Sequence, residues 1–190
     1  MFNFMGDVAD LVDDRKDTAS TRVGWVRVSS WLPWMEMGGA DIFNLNVVKG
    51  LDKEKFDISI LTTVHGGKAL KQQFEESIPE IYELPAFLDR KDYDSFIDYF
   101  IRSRKINMLF LSNSYYGYYL LPWIRKNHPE LVILEYVHME EWYWKNGGHA
   151  RVSGALGGIT EKTYVCNSAT KKVMENAFGR DAESVEVLYI

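Results

Sequence analysis

From residue 22 onwards, segments with the hydrophobic pattern of a β-strand alternate with segments that have the hydrophobic period of an α-helix. Short apolar runs rich in β-branched and aromatic residues predict strands. Longer segments with apolar residues three and four positions apart predict amphipathic helices. The predicted strands cover residues 22–29, 56–63, 81–84, 108–111, 131–137, 162–166 and 185–190. The predicted helices cover residues 42–51, 68–77, 92–104, 115–126 and 168–178.

This alternation predicts a doubly wound α/β fold. About seven strands separated by helices need crossover connections, which give a Rossmann-like, mainly parallel sheet. The run at 108–111 is apolar throughout, as expected for a strand covered on both faces. Pro122 should kink or break the helix at 115–126, because it cannot donate a backbone hydrogen bond.

Composition limits the partners and the compartment that we expect for this chain. The 190 residues carry a formal net charge of −5, so we expect no nucleic-acid partner. Cys166 is the single cysteine and no Cys/His spacing is typical of a zinc site, which favours a reducing, cytoplasmic compartment. No apolar run reaches the roughly 18 residues of a membrane span, and no secretory signal is predicted. Residues 1–20 are predicted to be a lead-in, either a short amphipathic helix or a frayed segment.

Candidate ligand-binding residues follow from the fold, because ligands of doubly wound sheets bind at the carboxyl ends of the strands. Gly38 and Gly39 lie between the first strand and the first helix, and two interpretations of the pair stay open. The pair forms either a tight turn or a loop whose free amides face a phosphate or carboxylate. Neither G-x-G-x-x-G nor G-x-x-x-x-G-K-[ST] occurs, so dinucleotide and P-loop sites are not supported. Other polar or glycine residues at strand ends are His65, Gly66, Gly67, Asn113, Ser114, His138, Asn167 and Ser168.

The imidazole and indole side chains at these ends each allow two interpretations. His138 could hydrogen-bond a sugar hydroxyl or exchange protons near neutral pH, or it could be satisfied by loop carbonyls. His65 allows the same two roles. Trp142, with its aromatic neighbours, could stack on a sugar ring or an acyl chain, or it could fill the interior of its own loop.

Three further features favour structural interpretations. Glu140 and Glu141 could bind a metal or move protons, but adjacent side chains on an irregular loop favour a solvated role. Cys166 is predicted to be a small core residue on its strand. The aromatic helix at 115–126 could touch a membrane surface, although a packed helix is favoured.

The string WMEMGGADIFNLNVVKGLDKEKFDISI, residues 34–60, resembles the opening of retaining, family 4 type GT-B glycosyltransferases. That family typically has a strand, a Gly-Gly-Ala-Glu loop, a helix that ends near Gly-Leu, and a turn with lysine and phenylalanine. Asp41 stands where the family usually has glutamate. The string YVH that ends at His138 resembles the family's histidine after a mid-domain strand. The string YVCNS, residues 164–168, followed by two lysines, resembles its strand and helix before the interdomain crossing.

The resemblance implies a role for these positions. Gly38 and Gly39, with Asp41, would approach a nucleotide diphosphate or the acceptor, and His138 would be the catalytic residue that contacts the reacting sugar or acceptor. Residues 21–190 would be the N-terminal, acceptor-side domain, and the C-terminal domain that holds most of the donor would be absent. The chain alone is therefore predicted to be inactive.

The resemblance also implies the partners. A nucleotide sugar would be the donor substrate, no cofactor or metal would be needed, and the acceptor would be a sugar or glycolipid. The compartment would be cytoplasmic, with peripheral membrane contact as the alternative. Two other functions stay open: a sugar- or nucleotide-binding module without catalysis, and a nucleotide-sugar epimerase of the GT-B type.

Overall fold

The computed structural model describes residues 26–189 as one parallel sheet flanked by helices. The predicted lead-in at residues 1–20 lies outside the described residues, as does the start of the first predicted strand. Seven strands pair in the order β3-β2-β1-β4-β5-β6-β7, and every pairing is parallel. The predicted fold class is therefore confirmed. The strands are β1 (Val26–Leu32), β2 (Phe56–Thr62), β3 (Glu80–Glu83), β4 (Met108–Ser112), β5 (Val132–Val137), β6 (Lys162–Val165) and β7 (Val185–Val187).

The helices connect successive strands. They are α1 (Gly39–Gly50), α2 (Lys71–Glu75), α3 (Leu84–Phe87), α4 (Tyr93–Arg104), α5 (Tyr115–Asn127), α6 (Gly148–Ala155) and α7 (Ser168–Asn176), with 3-10 turns at Arg90–Asp92 and Ala182–Ser184. Within the part of the chain that the structure describes, no helix is long and apolar enough to cross a membrane.

The sheet separates two apolar cores. Val28, Phe110 and Leu134 point to one face, where α1 packs. Leu109 and Ile133 point to the other face, which α4 and α5 cover. Because both faces are covered, all five residues of β4 are buried.

Three helices differ from the expectation. α5 runs through Pro122 without a break, because Leu120, Leu121 and Ile124 on either side of the proline are buried against the sheet. That packing offsets the backbone hydrogen bond that proline cannot donate. α2 keeps only five of the ten residues predicted at 68–77, and α3 was not predicted because four residues are too short to show a helical period.

A charged pair lies in the interior next to β5. Glu135 is fully buried, and its carboxylate lies 3.5 Å from the buried guanidinium of Arg180, which follows α7. The same carboxylate oxygen accepts hydrogen bonds from Ser153 of α6 at 2.6 Å and from Thr163 of β6. The guanidinium also donates to the carbonyl of Ser153. This network fastens α6 and the end of α7 to the sheet.

We expect Arg180→Met to lower the free energy of unfolding by about 3–5 kcal/mol, because it leaves the Glu135 carboxylate buried without its cation. The matched control is Arg102→Met, which breaks an ion pair with Asp98 in which the arginine side chain is 61% exposed. Exposed pairs of this kind contribute less than about 1 kcal/mol. Urea unfolding of both variants measures the difference, and equal losses would contradict the importance of the buried pair.

Candidate functional site

The candidate site is a crevice at the carboxyl edge of the sheet, where the chain changes direction. From β1 the chain proceeds outward to β2 and β3, and it then returns to place β4 on the other side of β1. The loops after β1 and β4 therefore diverge from this point, which is where doubly wound folds bind ligands.

Side chains join the strand ends around the crevice. The hydroxyls of Thr63 and Ser114 lie 2.8 Å apart, and both are buried. Since β2 and β4 flank β1, this hydrogen bond spans the end of β1. The hydroxyl of Ser112 lies 2.9 Å from Nε2 of His138 and joins the ends of β4 and β5. Four polar residues from three strand ends are thus held in a fixed arrangement.

His138 is mostly buried between aromatic rings. Its imidazole lies 4.6 Å from the ring of Tyr136 and 5.2 Å from that of Phe43, measured between centroids. Burial lowers the pKa of His138 to about 4, and the nearby His149 lowers it further in the same direction. The imidazole is therefore neutral at pH 7, so it can donate or accept a hydrogen bond without carrying a charge.

Cys166 packs against the apolar core, as predicted, and it also belongs to this part of the site, although it does not lie on the strand. β6 ends one residue earlier, and the half-buried thiol of Cys166 donates to the carbonyl of His138 at 2.6 Å. The side-chain amide of Asn167 donates to the same sulfur at 3.0 Å. The thiol thus helps to fix the backbone that carries His138.

Asn167 also caps α7. Its side-chain oxygen accepts from the backbone amide of Thr170 at 2.8 Å, which makes Asn167 the N-cap of the helix. Ser168 is exposed as the first residue of the helix. The physical reason is the extended backbone of Asn167, φ −160° and ψ 168°, which aims its side chain back at the free amides.

The glycine loop after β1 carries carboxylates of the protein itself. Gly38 precedes α1 and Gly39 begins it, with Gly39 exposed. Asp41 in the first turn is 7% exposed, and burial, followed by the charge of Glu36, raises the pKa of Asp41 to about 6. Its carboxylate lies so close to Gly38 that a Cβ there would stand 3.0 Å from Oδ2. A protein carboxylate thus already faces the amides at the helix start.

A second glycine pair lets the loops after β1 and β2 meet. A Cβ on Gly66 would lie 2.5 Å from the side chain of Trp34, and one on Gly67 would overlap the carboxylate of Glu36. The missing Cβ atoms are therefore required for this close approach. His65 beside them is exposed, and the structure does not bring it to His138.

Two functional candidates were not predicted as a pair, Glu141 and His149. Nδ1 of His149 lies 3.2 Å from Oε2 of Glu141, and both side chains are largely buried. Burial lowers the pKa of His149, while Glu141 and the backbone of Asn113 act in the opposite direction. Asn113 itself has a left-handed φ of 53°. The pair therefore lies at the end of β4.

The solvated role expected for the two glutamates is wrong. Oε2 of Glu140 accepts from the hydroxyl of Thr170 at 3.0 Å, and Glu141 pairs with His149. Trp142 packs against Phe178 with 5.6 Å between ring centroids and keeps about half of its surface exposed. The sequence Gly147-Gly148-His149 could have indicated that this turn approaches Glu141 closely, because a Cβ on Gly148 would collide with the Glu141 side chain.

These groups can hydrogen-bond a polar ligand. The crevice offers hydroxyls, the neutral imidazole of His138 and two carboxylates. Among residues 26–189, no group of three or more histidine, cysteine, aspartate and glutamate side chains could hold a metal ion.

Comparison with solved structures shows which folds this arrangement resembles. The lipopolysaccharide outer core galactosyltransferase WaaB, in its apo form, matches with a TM-score of 0.61 and 15% identity, over 86% of this chain and 45% of that one. A putative UDP-N-acetylglucosamine 2-epimerase from Listeria monocytogenes matches with a TM-score of 0.59 and 12% identity, over 85% of this chain and 44% of that one. Anabaena Alr3699/HepE in complex with UDP-glucose matches with a TM-score of 0.61 and 12% identity, over 86% of this chain and 43% of that one.

These likenesses and the observed topology define a class of fold: a Rossmann-like, doubly wound α/β domain. The chain spans less than half the length of the structures that it matches. The chain belongs to the family described as protein of unknown function (DUF1838), whose model matches residues 1–103. No curated protein sequence matches it.

We expect Asp41→Asn to stabilise the protein at pH 7. The folded-state pKa of about 6 exceeds the ordinary value of 3.8, so ionising Asp41 above pH 6 costs the folded state up to about 3 kcal/mol. The gain should shrink as the pH falls and vanish below about pH 3, where the carboxyl is protonated in both the folded and the unfolded state. Unfolding in urea at several pH values measures it. The control is Asp89→Asn, which changes an exposed aspartate; a gain that does not depend on pH would refute this origin.

His138 has the opposite pH dependence. Its folded-state pKa of about 4 lies below the ordinary 6.5, so only the unfolded chain takes up a proton between those values. Stability should therefore fall by about 3 kcal/mol as the pH drops from 6.5 to 4. Measured in the Asp41→Asn background, which removes the competing titration, His138→Gln should flatten this loss. An unchanged slope would show that another group causes it.

Proposed function

We propose that this chain is the acceptor-side half of a retaining glycosyltransferase of the GT-B type. The complete enzyme would transfer a sugar from a nucleotide-sugar donor to a hydroxyl of a sugar or glycolipid acceptor. One observation carries the proposal: a buried, neutral His138 is hydrogen-bonded to Ser112 at the ends of β4 and β5, beside the point where the strand order reverses.

The chemistry of the crevice suits a ligand with many hydroxyls. A neutral imidazole can exchange hydrogen bonds with a sugar hydroxyl and does not require an anionic partner. Asp41, with a pKa of about 6, and Glu36 offer acceptors on the opposite side. Gly38 and Gly39 would let the ligand approach the backbone between these groups.

The likeness in fold supports the division of labour. Two of the similar structures are a galactosyltransferase and a protein in complex with UDP-glucose, and this chain matches less than half of each. In the proposed enzyme, a second lobe would hold most of the donor and supply most of the cations that stabilise the leaving diphosphate. The chain alone would then bind ligands without transferring sugar.

One observation favours a second candidate, a nucleotide-sugar epimerase. The pair of Glu141 and His149 combines a carboxylate and an imidazole, as acid–base chemistry requires. A similar fold occurs in the putative UDP-N-acetylglucosamine 2-epimerase. The two functions differ in their products, because only transfer joins the sugar to an acceptor.

The test is a titration of the 190-residue chain with UDP-glucose and with methyl glycosides, in which NMR chemical shifts detect binding. We expect shifts at Ser112 and His138, and about tenfold weaker binding in Ser112→Ala and His138→Ala, because each variant removes one hydrogen-bonding partner. The matched control is Ser77→Ala, whose hydroxyl bonds only its own helix turn at the carbonyl of Gln73.

Two results would contradict the proposal. The absence of any shift in the crevice at saturating ligand would remove the site. Formation of a glycoside by the chain alone, detected by mass spectrometry, would show that it is more than the acceptor-side half.

A further inference from the structure

An exposed lysine is held in place at the rim of the crevice. Nζ of Lys145 lies 4.2 Å from the centroid of the Tyr115 ring and donates to the hydroxyl of the same tyrosine at 2.9 Å. Nζ also lies 5.6 Å from the Trp144 ring, which meets the Tyr115 ring edge-on at 5.7 Å. Cation–π contacts of this kind restrict a side chain that is otherwise free to move.

The ammonium group lacks an anionic partner. Within residues 26–189, Lys145 makes no ion pair, and Tyr115 is the one hydrogen-bond acceptor that its Nζ reaches. An ammonium carries three donors, so two remain directed at solvent. Lys68 and Lys71, which lie near β3, differ from Lys145 because both form ion pairs with Glu83.

The backbone that presents Lys145 is strained. Lys145 and Asn146 have φ angles of 49° and 51°, and Gly147 and Gly148 continue the turn at 128° and 58°. Left-handed backbone is unfavourable at a non-glycine residue and persists where the surroundings enforce it. Here the amides of Trp144 and Gly147 both donate to the carbonyl of Glu141.

This turn lies beside the end of β4. Tyr115 is the first residue of α5, directly after Asn113 and Ser114, and Trp144 stacks near His149 at 5.0 Å. Asn113 has a left-handed φ as well, so three of the four non-glycine residues with positive φ in the described part of the chain surround this rim. The strain is thus concentrated where the crevice opens.

We propose that Lys145, oriented by Tyr115 and Trp144, binds the phosphate of a sugar-linked ligand at this rim. The inference rests on the proposed function and deepens it, because it assigns to this half of the enzyme a cation of its own. Two sources share this chemistry: the diphosphate of the nucleotide-sugar donor and a phosphate on the acceptor.

Calorimetric titration of the 190-residue chain at low salt, with UDP, glucose 1-phosphate and uridine as probes, tests the assignment. We expect Lys145→Ala to weaken binding of at least one phosphate-bearing probe about tenfold and to leave uridine unaffected. Tyr115→Phe keeps the ring but loses the hydroxyl, so its effect should be smaller. Lys145→Gly relieves the backbone strain, so equal loss of binding without loss of thermal stability separates recognition from folding.

The matched control is Lys126→Ala, which removes an exposed lysine at the far end of α5. At a rise of 1.5 Å per residue, Lys126 lies roughly 16 Å along the helix from Tyr115. Unchanged binding of both phosphate probes in Lys145→Ala would overturn the inference and leave the proposed function standing. Lys145-dependent binding of glucose 1-phosphate without any binding of UDP would support an acceptor phosphate at the rim. The same dependence for UDP alone would identify the donor.

Discussion

The parallel arrangement of all seven strands is the constraint on which the rest of the molecule depends. Both faces of a parallel sheet are covered by helices, so its interior admits few polar groups. All strands end at the same edge, where buried polar side chains from different strands can satisfy one another by hydrogen bonds. Thr63, Ser112, Ser114 and His138 occupy this edge, where each finds a hydrogen-bond partner from another strand end.

The buried pair of Glu135 and Arg180 is the main exception to an apolar interior, and it supports the same edge. The carboxylate of Glu135 accepts a hydrogen bond from Ser153 of α6, and His149 lies at the start of the same helix. The helix is short, with eight residues, and would be marginal without such anchoring. The orientation of His149 towards the end of β4 therefore depends on contacts made about one turn further along α6.

Much of the fold could be predicted from the sequence, because each strand is a local apolar run and each long helix repeats at a helical period. The errors have physical causes. The sequence predicts that β1 ends at Ser29, because a pair of serines is more typical of the end of a strand than of its interior. In the structure, Ser29 is buried and accepts a hydrogen bond from the indole of Trp31. Glu135 and Arg180 are distant in sequence, and no local pattern links them. His138 could be singled out from its position after a strand. For the pair of Glu141 and His149, Asn146-Gly147-Gly148 indicates a turn, but no local pattern shows that this turn brings the imidazole of His149 to the carboxylate of Glu141.

The distribution of charge gives the two sides of the crevice different preferences. On the side of β1, burial, followed by the charge of Glu36, raises the pKa of Asp41, so an added phosphate would meet repulsion from these carboxylates. On the side of β4, the ammonium of Lys145 has no carboxylate partner among residues 26–189. Two glycines at the start of a helix would by themselves suggest an anion site, but the carboxylate of Asp41 already faces that helix start. The glycine loop is therefore suited to hydroxyl groups of a ligand, and an anionic group of the same ligand would be accommodated across the crevice, towards β4 and β5.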